Sequence, residues 1–235
     1  MRLDKFICKS TTLNKREAIA KIAAGAVYVN GVIETNEAIQ VHENNSIILN
    51  GERLRARDFR YIVMHKPAGT ICSNIDEFYP SLFNYLDIEN VSELHIAGRL
   101  DSDTTGMVLI TDDGRWSFNI MAPTTQCSKV YRVGLSRAIG DDVDAIFKNG
   151  VKLQGEKQLT RPAILNIVSN KEVLLSLTEG RFHQVKRMFA AVGNRVISLH
   201  REKIGDLSLD LDIGQWRYLT ADEVQSFNKS LYSCQ

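Results

Sequence analysis

Cysteine is scarce and scattered in this chain. Cys8, Cys72, Cys127 and Cys234 form no C-x-x-C pair, and none has a histidine at metal-ligand spacing. A zinc ribbon and a disulfide scaffold are therefore excluded, and isolated reduced thiols are expected. Long apolar runs are also missing. Nothing approaches the ~18 apolar residues of a membrane-spanning helix, and the opening MRLDKFICKS lacks the apolar stretch of a secretory leader. A cytoplasmic protein without membrane contact is expected. The histidines (His42, His65, His95, His183, His200) form no i,i+4 pair and no HExxH. No Gly-rich phosphate loop and no Ser-His-Asp arrangement is present, so nothing supports metalloprotease, nucleotide-loop or triad-hydrolase chemistry. Internal repeats and low-complexity segments are absent.

What remains is the composition of an ordinary globular protein, 44% hydrophobic and 24% charged over 235 residues, enough for one large domain or two smaller ones. The net charge of +1 is unevenly spread. Residues 1–60 carry ten Lys/Arg against seven Asp/Glu, and residues 61–235 carry nineteen against twenty-one. A small basic module on a near-neutral body hints at a polyanionic partner.

That module reads as two helices, a hairpin and a strand. The first helix covers about Leu3 to Lys9. In NKREAIAKIAAG, Asn14 and Glu17 have capping-box spacing, Ile19, Ile22 and Ala23 share an apolar face, and Gly25 ends the helix. Lys15, Arg16 and Lys21 lie off that stripe. AVYVNGVIE then alternates about an Asn30-Gly31 turn, and SIILN ends at Asn50-Gly51. The unit closes near residue 51, and ERLRARDFR, with four arginines in nine residues, reads as a charged linker. From Arg60 the chain is strand-rich. RYIVMHKPAGTICS reads as a strand ending at a Lys-Pro-Ala-Gly turn, HIAGRL as a short strand, MVLITDDG as a strand ending in a tight turn, KVYRVGL and RVISLHREKIG as strands, and AILNIVS with EVLLSLTEG as a hairpin. RWSFNIMAP reads as helical until Pro123, DDVDAIFKNG as a short helix with Gly150 past its end, HQVKRMFAAVG as an amphipathic helix closed by Gly193, and WRYLTADEVQSF as a final strand–helix pair. Strands and helices do not alternate strictly, which favours an α+β fold with a mixed, mostly antiparallel sheet flanked by helices.

Two segments concentrate chemistry. In GRLDSDTTG, residues 98–106, Gly98 and Gly106 bracket Arg99, Asp101 and Asp103. Two carboxylates can divide acid and base roles, as in glycosidases, but neighbours in one loop rarely straddle a sugar. Asp103 reads instead as a solvated turn residue. In EGRFHQVKRM, Arg181, Lys186 and Arg187 crowd the start of a helix. Cations oppose the positive end of the helix dipole, so an anion such as Asp101 or a phosphate is expected beside them. Tyr131, in KVYRVGL, sits at a strand position that usually packs in a core.

GRLDSDTTG resembles the catalytic motif of the pseudouridine synthases, and NKREAIAKIAAGAVYVNG resembles the S4 RNA-binding module carried by part of that family. HKPAGTICS, KVYRVGL, EGRFHQVKRMFAAVGNRVISLHREKIGDLSL and GQWRYLT follow in the order of its RsuA/RluB/E/F branch, so the similarity covers nearly the whole chain. The resemblance implies a small S4-like RNA-binding domain with the charged linker in residues 1–58 and a catalytic domain in residues 59–235. It implies Asp101, Tyr131 and Lys186 as catalytic residues. RNA contacts are expected from Arg99, Arg181, Arg187 and Leu199, and from Lys15, Arg16 and Lys21 of the small domain. FHQVKRMFAAVGN and TTGMVLITDDG are most similar to small-subunit members of the branch. A uridine of 16S rRNA, alone or in a small-subunit assembly intermediate, is the implied substrate. Isomerisation oxidises nothing and loses no group, so neither metal nor organic cofactor is implied. A monomer is expected, since no coiled coil or long apolar edge is evident. An inactive RNA-binding scaffold and a hydrolase of N-glycosidic bonds are the alternatives.

Overall fold

A computed structural model of the chain describes residues 1–42 and 44–229; Cys234 lies outside them. The chain divides into two compact units, Met1–Asp58 and Phe59–Gln235.

The smaller unit contains α1 (Leu3–Ser10) and α2 (Lys15–Ala23). They pack beside an antiparallel sheet of β1 (Val27–Val29), β2 (Val32–Ile33), β3 (Ile47–Leu49) and β4 (Glu52–Arg53), in the order β2-β1-β3-β4. The capping box closes at both ends. The Asn14 side chain accepts from the Glu17 amide at 3.0 Å, and the Glu17 carboxylate accepts from the Asn14 amide at 2.8 Å. Asn30-Gly31 and Asn50-Gly51 all take positive φ, the conformation that two-residue hairpin turns demand. The buried face of α2 is Ala18 and Ile22, with Ala23 exposed, so the stripe lies one position earlier than expected. The start of the charged stretch is not linker. Glu52 and Arg53 pair with β3, and Leu54 and Ala56 pack against the core of Leu3, Ile7, Ile22, Val27 and Ile47. An edge strand tolerates charge because its side chains stay in water while the backbone pairs.

The larger unit is built on one sheet. In chain order come β5 (Tyr61–Lys66), β6 (His95–Ala97), β7 (Thr105–Thr111), α3 (Gly114–Met121), β8 (Lys129–Leu135), α4 (Val143–Asn149), β9 (Ile164–Ser169), β10 (Glu172–Leu177), α5 (Gln184–Ala191), β11 (Val196–Ile204), β12 (Leu207–Ser208), β13 (Trp216–Tyr218) and α6 (Ala221–Lys229). The main path is β13-β5-β7-β11-β8-β10-β9, with β6 beside β7 and β12 beside β11. Among the described residues only β7 and β11 run parallel, so the fold is α+β with a mixed, mostly antiparallel sheet.

Burial on both faces explains the near-continuous apolar runs of β5 and β7. Ile62, Met64, Val108 and Ile110 face a core with Val133, Leu199 and, from α5, Val185, Met188 and Phe189. Val63, Met107 and Leu109 face the other core, with Trp116 of α3 and Phe227 of α6.

One topological detail positions the site. Gly106 pairs with Lys66 of β5 and with Arg201 of β11, whereas Ile110 pairs with Ile62 of β5 and with Ile96 of β6. β6 and β11 therefore share the same edge of β7, one at each end. The loop 98–104 leaves β6 and enters β7 at this fork.

Candidate active site

Asp101 belongs to the fork loop. The Thr104 amide donates to the Asp101 carbonyl at 3.1 Å, so the segment turns sharply. Its carboxylate meets the start of α5, and each oxygen has its own partner. Lys186 Nζ lies 3.0 Å from Oδ2, and His183 Nε2 lies 3.3 Å from Oδ1. The side chain keeps 29% of its exposure, so a ligand can reach it. Lys186 also donates to Asp103 at 2.6 Å. The anionic partner expected for the basic helix start is thus two carboxylates, and Asp103 is an ion-pair partner of Lys186 in addition to a turn residue.

The electrostatics follow from this triangle. The hydrogen bond from Lys186 is the main cause holding the Asp103 carboxyl below the ordinary aspartate value. Partial burial works against the charge on Lys186, but hydrogen bonds to Asp103 and Asp101 outweigh it and raise its pKa. A depressed carboxylate contributes above its unfolded pKa and loses that contribution as pH falls through the folded value. A raised ammonium contributes below its unfolded pKa and fails as pH rises through the folded value. The pair therefore stays charged from the acid side of the carboxylate range to the alkaline side of the lysine range. Carbon-13 NMR should find Asp103 titrating below the ordinary aspartate value, and Lys186→Met should return it upward; an unmoved titration would show that Lys186 is not the cause.

Beneath the loop, the sheet supplies a row of cross-strand neighbours, Lys66, Gly106, Arg201 and Tyr131, all on one face. Lys66 is fully buried, and its ammonium donates to the carbonyls of Pro67, Ser102 and Thr104 at 3.0, 3.3 and 2.9 Å. Three donors meet three acceptors, which is how a buried ammonium survives without a carboxylate. Burial pushes its pKa down, opposed by Cys72, Asp103 and Asp101. Arg201, 1% exposed, donates to the carbonyls of Met107 at 2.8 Å and Gly98 at 2.7 Å. It also donates to the Tyr131 hydroxyl at 3.4 Å. The loop bearing Asp101 is thus tied at Gly98 by Arg201 and at Ser102 and Thr104 by Lys66. The Leu100 amide donates to Cys72 Sγ at 3.3 Å between them.

Tyr131 is 9% exposed beside Leu100 and Val133 in the core. Leu199, also buried, pairs with Val133 and shares the face of Arg201 two positions on. Arg99 is exposed and makes no hydrogen bond or ion pair among the described residues. Arg181 and Arg187 do structural work. Arg181 donates to the carbonyls of Gln158 and Leu159 and pairs with Glu179, and Arg187 donates to the carbonyls of Gln154 and Phe182 and pairs with Glu156. These bonds tie loop 154–159 to the start of α5, so the RNA contacts expected of both side chains compete with existing partners. Lys15, Arg16 and Lys21 are exposed on α2, in the other unit.

Reading the sequence missed Lys66, Arg201 and His183. Lys66 looked like part of a Lys-Pro-Ala-Gly turn, and Arg201 looked like one charge of a charged strand. Only the cross-strand register reveals that both are buried. His183 had a signal, since it immediately precedes the helix that carries Lys186. Among the described residues no group of three or more His, Cys, Asp or Glu side chains is arranged to hold a metal ion.

The model of the RNA pseudouridylate synthases matches residues 60–191. A ribosomal small subunit pseudouridine synthase A from Vibrio cholerae is 46% identical over 97% of this chain and 100% of its own. The protein of that name from Escherichia coli is 44% identical over 96% and 99%. A crystal structure of a pseudouridylate synthase superposes with a TM-score of 0.72 at 42% identity, covering 97% of this chain and 99% of that one. With an accessible aspartate held by a lysine at the fork of the sheet and a family match over more than half its length, the chain belongs to the RNA pseudouridylate synthase family.

Proposed function

We propose that the chain converts a uridine in the 16S RNA of the small ribosomal subunit to pseudouridine, with Asp101 as its catalytic group. The observation that carries this reading is the accessible Asp101 carboxylate with Lys186 at 3.0 Å. The small-subunit names of relatives at 44–46% identity support ribosomal RNA as the substrate class. That class fits a cytoplasmic protein, and no helix among the described residues is long and apolar enough to cross a membrane.

The reaction rearranges bonds inside one nucleotide. The N1–C1′ bond breaks, the uracil turns, and a C5–C1′ bond forms. C5 loses its proton and N1 gains one, so atoms and electrons balance with no oxidant. The target leaves its stack to reach a protein carboxylate. Ionised Asp101 then acts on the sugar, as nucleophile or as base toward a sugar proton. Lys186 donates to it at 3.0 Å and keeps it aimed, and His183 borders its other oxygen. Tyr131 offers a ring face to the freed uracil, with Leu199 as apolar packing on the same sheet face. Arg99, with its donors uncommitted, contacts the distorted backbone. The unit Met1–Asp58 acts as an S4-like RNA-binding domain, where Lys15, Arg16 and Lys21 meet phosphates.

Purified protein incubated with 16S transcript, or with a partly assembled small subunit, should yield a pseudouridine at one mapped position. Free uracil would identify an N-glycosidic hydrolase, and unchanged RNA would identify an inactive scaffold. Removing residues 1–58 should weaken RNA binding and reduce the slope of log K against log salt by up to about 3, if three lysine and arginine contacts are lost. The remaining unit should fold, since its two cores contain no residue of the smaller one. Filter binding across salt concentrations and circular dichroism check both points. An unaltered slope would remove the role given to α2.

A further inference from the structure

Phe182 has no assignment so far. It is 77% exposed, although burying such a ring is ordinarily favourable. A single exposed phenylalanine is ordinary by itself; the construction around this one is not. Its ring stacks on His183, centroids 3.8 Å apart and planes 21° apart. The same imidazole approaches Asp101 at 3.3 Å. The ring is thus two contacts from the reacting carboxylate.

The turn that presents it is held from several sides. His183 takes φ +48°, a left-handed conformation that is unfavourable for a non-glycine residue and persists only where its surroundings enforce it. Here they do. The Gln184 side chain accepts from the Arg181 amide at 2.8 Å and donates to Glu179 at 2.8 Å. Arg187 donates to the Phe182 carbonyl at 3.0 Å, and Arg181 is tied to loop 154–159. Five hydrogen bonds hold this strained turn and keep an aromatic face in water beside Asp101.

We infer that Phe182 is a stacking platform for a nucleobase next to the target uridine, a base left with an uncovered face when the uridine is drawn out toward Asp101. The inference rests on the proposed function. An aromatic ring suits this role because every nucleobase has a π face, whatever its sequence. Arg99, uncommitted and two residues from Asp101, supplies positive charge for the adjoining phosphate. His183 joins the two events, since one side of its ring supports Phe182 and one nitrogen faces the carboxylate.

The test is tritium release from C5-tritiated uridine in small-subunit particles reconstituted on 16S transcript. Phe182→Ala should raise KM about 10-fold, within the range that loss of one base–aromatic stack produces, while kcat stays within about threefold. Phe182→Trp should restore the wild-type KM. Phe118→Ala, which removes a ring 65% exposed on α3 over the opposite face of the sheet, should change neither constant. An active wild type whose KM is unmoved by Phe182→Ala, or a Phe118→Ala variant with the same KM rise, would overturn the platform. A wild type that releases no tritium would overturn the proposed function and the platform with it.

Discussion

Asp101→Asn is expected to lower pseudouridine formation by on the order of 10⁴-fold or more, while RNA affinity stays within about threefold. The amide has nearly the shape of the carboxylate, and its oxygen still accepts from Lys186, so the loop stays where Arg201 and Lys66 hold it. What disappears is the negative charge. An amide neither forms the sugar ester that a nucleophile needs nor takes up a proton as a base. Affinity survives because contacts to phosphates and flanking bases come from other side chains. Single-turnover tritium release with filter binding on the same preparation separates the two effects. Turnover above about a hundredth of wild type would remove Asp101 from the chemistry.

Gly106→Ala should be as damaging to the fold as Asp101→Asn is to the reaction. A Cβ at this position would lie 2.3 Å from the Arg201 carbonyl oxygen and 2.5 Å from its amide nitrogen, and φ is +110°. The clash is with backbone of a neighbouring strand, so no side-chain rotation relieves it. Backbone strain and overpacking each cost about 1–3 kcal/mol, and here they act together. A loss of roughly 3 kcal/mol or more is expected, which is a large share of the stability of an ordinary domain. Urea unfolding should register a lower midpoint for the larger unit. A midpoint unchanged from wild type would mean that β7 and β11 are not paired as described.

How much of this was legible in the sequence depended on how local each cause was. The capping box of α2 and the Asn-Gly turns were readable because their partners lie within three residues. The mixed sheet was readable from the irregular order of its strands. The proximity of Asp101 and Lys186 came from resemblance; spacing alone contributed only the hint that cations at a helix start want an anion. Glu52 and Arg53 were misassigned because charge suggested solvent, whereas their backbone joins a sheet edge. Lys66 and Arg201 were unreadable for a related reason. A lysine or arginine is ordinarily exposed, and their burial depends on carbonyls offered by a loop 36 to 103 residues away in the chain.

The fork of the sheet also sets an order of events during synthesis. The Asp101 loop rests on β11, whose residues emerge from the ribosome about a hundred positions later, and this long closure is the kind of contact that forms slowly. Until then Lys66 holds the segment at Ser102 and Thr104, but its tie to Arg201 at Gly98 is missing, so the proposed site is complete only when most of the chain has been made. A protein that modifies ribosomal RNA in this way is expected to stay idle while it is still being translated.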